Sequence, residues 1–438
     1  MSKKRYFFCG IGGSGMSALA KILLSHGHMI SGSDRDYDRA LFPEKFDQLK
    51  KLGIDLYPQD GSGLNDVDIL VVSTAVEDTI PDVKAALKLK RPILKRAELL
   101  AEIFNAQKGV AIGGTSGKST VTGMLAHILT QMSYDPTVMN GAKMLNSETN
   151  ALTGKSDIFV IESCESDGSI ALYEPHIAVL TNITLDHKTL PELRELFSNF
   201  LKNAKHGCAV NIDDPEAAQL KNIHPNTLAY SLEDSSADIY RGDLKLLVPG
   251  KHNKSNALAA CTAAKFLGIS VADSLEALEN FQGIQSRLEV VGSANNITVI
   301  DDFAHNPDKI KASLQTLKED SGRLIVMYQS HGFGPTRLMW DDLIHVFSSE
   351  LEHNDLLYMP EIHYAGGTAQ KNISSKGIIE SINTTNKNAT FALTKDEITP
   401  KIIHEACPGD RIVIMGARDD KLREMARSIA HTLESEPS

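Results

Sequence analysis

Val110-Ala111-Ile112-Gly113-Gly114-Thr115-Ser116-Gly117-Lys118-Ser119-Thr120 runs from an apolar strand through a glycine turn into a helix. Gly109 to Ile112 is an apolar run of strand length. From Ser119 to Gln131, the residues Val121, Met124, Leu125, Ile128 and Leu129 recur at helical spacing on one face. A strand, a glycine turn, Lys-Ser and a helix suit a nucleoside triphosphate. Free N–H groups and the positive helix end face the phosphates. Lys118 would reach the β- and γ-phosphates, and the Ser119 hydroxyl would ligate Mg²⁺. The usual spacing has glycine at position 112, where this chain has Ile112, so Gly114-x-x-Gly117-Lys118-Ser119 is a shorter variant. Such a turn also arises by chance, and its reading leans on what surrounds it.

The chain has 438 residues, enough for about three domains. Its hydrophobic content of 42% is ordinary for a protein with buried cores. Lys and Arg number 45 against 56 Asp and Glu, a formal net charge of -11. That balance argues against nucleic acid and against an anionic membrane surface as partners. No apolar run is long enough to span a bilayer. The basic start Met1-Ser2-Lys3-Lys4-Arg5 is followed by a few apolar residues that break at Gly10, unlike a signal peptide. Cys9, Cys164, Cys208, Cys261 and Cys407 are scattered without a CxxC pair, which fits a reducing cytoplasm and no zinc site.

Upstream, residues 5–10 read as a first strand, and Gly10-Ile11-Gly12-Gly13-Ser14-Gly15 fits G-x-G-x-x-G opening a helix through Met16, Ala18, Leu19, Ile22 and Leu23. A second strand, His28 to Ser33, ends at Asp34, where a dinucleotide fold holds a ribose hydroxyl. The fingerprint alone admits three readings: a dinucleotide, another diphosphate such as a UDP-sugar, or a plain glycine turn. Strands follow at 68–73 and near 92–94, then a helix from Ala97 to Phe104 and a polar break. The first domain is expected at residues 1–106, the second at 107–292 and the third at 293–438.

In the second domain, strands at 157–163 and 177–183 end in polar residues, as parallel strands do when they deliver side chains to a site. Glu165 and His187 are the candidate Mg²⁺ ligands beside Ser119; a solvated carboxylate and a capping histidine are their ordinary alternatives. His252 and Asn253 precede an alanine-rich helix, 257–267, where they would meet a purine edge or cap the helix. A change near Gly292-Ser293-Ala294-Asn295-Asn296 opens the third domain. Its strands read at 297–300, 323–328, 355–359, 390–393 and 411–415, with helices such as 340–351 and 421–433 between or after them. Asp302, His305 and the loop Ser330-His331-Gly332-Phe333-Gly334-Pro335-Thr336-Arg337 fall at strand ends, on the side where sites form. The fold class is therefore α/β in three domains: a Rossmann-like first domain, a central P-loop ATPase-like domain with a parallel sheet, and a Rossmann-like α/β third domain.

Taken in order, these motifs resemble the Mur ligase family of peptidoglycan synthesis over nearly the whole chain. The resemblance is carried by Gly10 to Ser17, Gly32-Ser33-Asp34, Arg96-Ala97-Glu98, Gly114 to Ser119, Glu165-Ser166-Asp167, Thr181-Asn182 with Asp186-His187, His252-Asn253 with Asn256-Ala257, Arg287-Leu288-Glu289 and Asp302 to Pro307. It implies a branch that uses UDP-N-acetylmuramate. Gly12, Gly13, Ser14, Gly15, Met16, Ser17, Asp34, Ser73, Thr74 and Arg96 would then bind the UDP-sugar. Gly114, Thr115, Ser116, Gly117, Lys118, Ser119, Thr120, Asn253, Arg287 and Asp302 would bind ATP. Ser119, Glu165 and His187 would hold Mg²⁺, and Lys118, His187, His305 and Arg337 would serve the reaction, the last two facing the amino substrate.

Two amino substrates remain open. Glu165 to Ser169 and His252 to Ala259 look like the branch that takes L-alanine. His331 to Met339, Gly366-Gly367-Thr368 and Met415 to Asp420 look like the branch that takes the tripeptide L-alanyl-γ-D-glutamyl-meso-diaminopimelate. Either amide would form through an acyl phosphate in an ADP-forming reaction. The resemblance further implies a cytoplasmic monomer or homodimer, with neither nucleic-acid binding nor membrane insertion. A nicotinamide-dependent oxidoreductase built on Gly10 to Gly15 and Asp34 is the remote alternative; it leaves the lysine loop without a role.

Overall fold

The computed structural model describes residues 3–74, 76–165, 168–185, 188–242, 244–319, 321–364, 370–385, 387–419 and 421–435. The chain divides into two compact units, Met1–Leu247 with Asn253–Gln282, and Val248–His252 with Gly283–Ser438.

The first unit contains two sheets. The amino-terminal sheet comprises β1 (Arg5–Cys9), β2 (Met29–Ser33), β3 (Asp55–Tyr57), β4 (Ile69–Val72) and β5 (Ile93–Lys95), ordered β3-β2-β1-β4-β5 with every pair parallel. The strand order reverses at β1, so a crevice opens beyond the carboxyl ends of β1 and β4. The central sheet comprises β6 (Lys108–Gly113), β7 (Thr137–Met144), β8 (Thr149–Leu152), β9 (Ile158–Glu162), β10 (Ile177–Leu180), β11 (Gly207–Asn211), β12 (Thr227–Ser231) and β13 (Ile239–Tyr240). Their order is β13-β12-β11-β10-β6-β9-β7-β8, parallel except for β7 with β8. β10 and β11 are buried along their whole length and read as continuous apolar runs, as strands covered on both faces must.

One apolar cluster joins the two sheets, running from Tyr6 and Phe8 through Leu99 and Phe104 to Phe159, Phe197 and Phe200. Phe104 stacks edge-on against Phe159 and Tyr173, with ring centroids 5.7 and 5.3 Å apart. It also lies so close to Gly109 that a Cβ there would fall 2.2 Å from the ring. Glycine at the start of the central sheet is what lets this aromatic seat.

The second unit holds β14 (Glu289–Ala294), β15 (Ile297–Asp302), β16 (Leu324–Gln329), β17 (Leu356–Met359), β18 (Asn388–Phe391) and β19 (Arg411–Gly416). They are ordered β14-β15-β19-β16-β17-β18, parallel except for β14 with β15. The stretch read as a change of domain near residue 292 is a hairpin. Ala294 pairs with Ile297, and Asn295 and Asn296 between them have φ of 53° and 60°. Two left-handed residues make the turn that matches strand twist, and Asn tolerates that region. Polar turn chemistry thus marks a hairpin inside the third sheet, and residues 292 and 293 both lie within β14.

Candidate functional site

The lysine loop leaves β6 at Gly113 and enters the helix Lys118–Gln131. Its shape is set from outside. Gly114 has φ 132°, and a Cβ there would lie 2.0 Å from Thr181 Oγ1. Gly117 has φ 84°, and a Cβ would lie 2.3 Å from Asn256 Oδ1. At the end of β10, Thr181 Oγ1 donates to the Ser116 carbonyl (2.7 Å) and Asn182 Oδ1 accepts from Ser116 N–H (2.9 Å) and Thr115 Oγ1 (2.8 Å). The helix has no side-chain cap and no acidic residue in its first turn. Its first N–H groups, lacking carbonyl partners within the helix, face the loop. A cradle whose Cβ positions are filled by neighbours, at an uncapped helix start, fits a polyphosphate.

Two carboxylates meet this loop. Lys118 Nζ lies 2.8 Å from Glu165 Oε2 and donates to the Gly114 carbonyl at 2.6 Å. The pair is 11% and 4% exposed at its side chains. Ser119 Oγ donates to Glu162 Oε2 at 2.6 Å, and Gly141 N–H donates to the same oxygen at 3.1 Å. Hydroxyl and carboxylate oxygens are the donors Mg²⁺ prefers, and one or two protein ligands suffice beside phosphates and water. Ser119, Glu162 and Glu165 therefore fit the ion. Glu162, at the end of β9, stands outside the expected ligand set of Ser119, Glu165 and His187. Its signal was the register: β9 pairs with β6 so that Glu162 stands opposite Ile112, one step before the glycine turn. His187 lies outside the described residues, as do Asp186, Ser166 and Asp167.

Asn253 and His252 fall inside the helix Lys251–Phe266, six residues earlier than the expected start, so neither caps it. Asn253 is buried and accepts from Asn256 Nδ2 (3.3 Å), which links it to the wall of the lysine loop. His252 is buried against Thr316, its Nδ1 3.3 Å from the hydroxyl, and burial lowers it to about 4.

The first glycine turn is built differently. Asp34 Oδ2 accepts from Gly12 N–H at 2.8 Å, while Oδ1 accepts from Asp36 N–H at 2.9 Å and caps the short helix Arg35–Asp38. The carboxylate thus ties the turn to the start of the short helix. Arg96, which opens the helix Arg96–Asn105, lies over Gly15; a Cβ there would be 3.6 Å from its Nη1. Ser73 and Thr74 follow β4, across the crevice from the turn that follows β1. The helix Ser14–Ser25 also has no side-chain cap and no acid in its first turn. Gly12, Gly13, Gly15, Ser73, Thr74 and Arg96 are thus at the carboxyl side of one sheet. Met16 is not a wall of that crevice: its side chain is buried in the core.

In the second unit the polar groups gather at the carboxyl end of the third sheet. Asp302 is 4% exposed and accepts from Ser313 Oγ (2.5 Å) and Leu288 N–H (3.3 Å). Burial raises its carboxyl. The Arg287 guanidinium lies over the Phe303 ring, 4.4 Å from its centroid. The His305 and His331 rings are 5.4 Å apart, and His331 pairs through its backbone with His363. Asp419 accepts from Gln329 Nε2 (2.9 Å) and from Lys395, with His363 Nδ1 3.7 Å away. Burial pushes the Asp419 carboxyl up, but the Lys395 and Gln329 hydrogen bonds outweigh it and hold it low. Arg337, in the short helix Phe333–Leu338, donates to Asn372 and to the Gln370 carbonyl. Lys395 and Asp419 lie at the same end of the third sheet as His305 and Arg337, the residues expected to face the amino substrate. Their separation in the chain hid the pair.

Three family models match: the Mur ligase family catalytic domain over residues 5–108, the Mur ligase middle domain over 112–264, and the Mur ligase glutamate ligase domain over 286–418. The UDP-N-acetylmuramate–L-alanine ligase of Pelotomaculum thermopropionicum is 34% identical, covering 96% of each chain. That of Agrobacterium fabrum is 33% identical over 94% of this chain and 93% of its own. The crystal structure of the UDP-N-acetylmuramate–alanine ligase of Thermotoga maritima superposes with a TM-score of 0.80 at 26% identity, covering 99% of both chains. The chain belongs to the Mur ligase family.

Proposed function

We propose that the chain joins L-alanine to UDP-N-acetylmuramate, consuming ATP to give ADP and phosphate, in the synthesis of peptidoglycan precursors. Full-length likeness to curated ligases of that name supports the reading. The observation that carries the chemistry is the pairing of Lys118 with Glu165 and of Ser119 with Glu162 around an uncapped helix start.

A carboxylate is a poor acyl donor because its oxygen leaves badly. Phosphorylation cures this: a carboxylate oxygen of the sugar's lactyl group attacks the γ-phosphorus, and ADP leaves. The amine then attacks the acyl carbon, phosphate leaves, and the amine's proton passes to a base or water. The first step brings two anions together. Lys118 and the helix amino end offset that repulsion, and losing one such preorganised donor typically costs about 10²–10³ in rate. Glu165 satisfies the buried Lys118 ammonium, which unpaired would cost several kcal/mol. Ser119, Glu162 and Glu165 would hold Mg²⁺ beside the triphosphate. The ion would supply neutralisation of phosphoryl charge. At the first glycine turn, Asp34 fixes the loop, and Arg96 gives the sugar diphosphate a cation.

The test is phosphate release with ATP, Mg²⁺ and UDP-N-acetylmuramate, with L-alanine or the tripeptide added. Release with L-alanine is expected. Release with the tripeptide alone would overturn the choice of amino substrate, and release with neither would overturn the ligase.

A further inference from the structure

Lys395, Arg337 and Arg418 stand on segments that follow β18, β16 and β19, at the carboxyl end of the third sheet. Their engagements differ. Lys395 is paired with Asp419, and Arg337 is tied to Asn372 and the Gln370 carbonyl. Arg418 makes no hydrogen bond or ion pair among the described residues. Its backbone has φ 62°, a region unfavourable for a residue with a Cβ. The residue after it explains how that conformation is kept. Asp419 is held by Gln329, Lys395 and the Lys421 N–H, so the turn sends Asp419 inward and Arg418 out. A costly backbone conformation maintained by a network at a strand end is a mark of a site.

The charge of Arg418 is felt at His331. That ring sits against His305, and its buried Nδ1 has no hydrogen-bond partner among the described residues. Burial chiefly, then the charge of Arg418, lowers His331 to about 4. The guanidinium is therefore within electrostatic reach of a neutral imidazole. Gly334, three residues along the same loop, has nothing within 4 Å of where a Cβ would lie. The carboxyl end of the third sheet thus carries an exposed cation, unpaired among the described residues, and a neutral histidine.

An amino acid brings an amine that reacts and a carboxylate that does not. The carboxylate needs a cation in any closed site, and a guanidinium offers it a two-pronged match that an ammonium lacks. We infer that Arg418 recognises the carboxylate of the amino substrate, an assignment that rests on the ligase reading above.

The experiment compares L-alanine with L-alaninamide, which keeps the amine and lacks the carboxylate. Arg418→Gly suits the left-handed backbone, so it removes the side chain without straining the fold. In the unaltered protein L-alanine should surpass the amide in kcat/KM by about 10- to 100-fold, the scale of a hydrogen bond to a charged group. Arg418→Gly should raise the KM for L-alanine by a similar factor, bring the ratio near one, and leave the KM for ATP unchanged. Arg418→Lys should fall between. An unchanged KM for L-alanine in Arg418→Gly, or an equal loss with both amines, would overturn the assignment. If the unaltered protein turned over the tripeptide and not L-alanine, the substrate reading would fall. The same variants would then be compared on the tripeptide and its carboxamides, where the same ratio decides Arg418.

Discussion

The two glycine turns of the first unit share a plan and differ in what surrounds them. Each links a buried parallel strand to a helix with neither a side-chain cap nor an early acid. At Gly10–Gly15 the nearby carboxylate, Asp34, bonds the backbone of the turn, while Arg96 lies against Gly15. At Gly114–Lys118 the backbone is braced by neutral groups, Thr181, Asn182 and Asn256, and the carboxylates Glu162 and Glu165 meet Ser119 and Lys118 instead. On the proposed function, two similar loops do different work. A turn braced by an acid and faced by one arginine can hold a diphosphate that stays intact. A turn with a lysine, a hydroxyl and two acids can hold a metal-bound phosphate that is transferred.

The difference can be broken by substitution. Lys118→Ala should lower turnover by at least ~10²-fold, the scale of losing one preorganised electrostatic donor; a normal kcat would remove Lys118 from the reaction. Glu162→Gln, and separately Glu165→Gln, should raise the Mg²⁺ needed for half-maximal rate by roughly 10-fold or more. An identical magnesium titration would discard that residue as a ligand. Arg96→Ala should raise the KM for UDP-N-acetylmuramate by about 10-fold, as loss of a charge-assisted contact does, with the KM for ATP unmoved. Asp34→Ala should act on the fold first. It removes a helix cap and the anchor of Gly12, at a cost of about 1–2 kcal/mol in denaturant unfolding, with only a slight rise in the KM for the UDP-sugar. A large effect on ATP would put Asp34 in the wrong loop.

Much of this was legible from local pattern. The strand and helix around Lys118 fall within a residue of the positions their spacing gives, because apolar runs and a glycine turn are local signals. The pairing of Lys118 with Glu165 was not legible as a pair: it joins residues 47 apart and depends on β9 lying beside β6. The antiparallel β7–β8 hairpin escaped the reading because Thr137–Met144 mixes polar and small residues without a clear period. At Asn295-Asn296 the polar signal was correct and its meaning was not: a tight turn and a linker share a composition. In the third sheet, Asp419 and Lys395 come from segments that only the fold brings together.

The claim that most of the account depends on is the division of labour between the two turns. Titration calorimetry of UDP-N-acetylmuramate and of Mg-ATP into Arg96→Ala and Lys118→Ala, each ligand alone, tests it directly. Arg96→Ala should weaken only the sugar nucleotide and Lys118→Ala only ATP. The reverse pattern, or equal losses of both ligands in either protein, would contradict it.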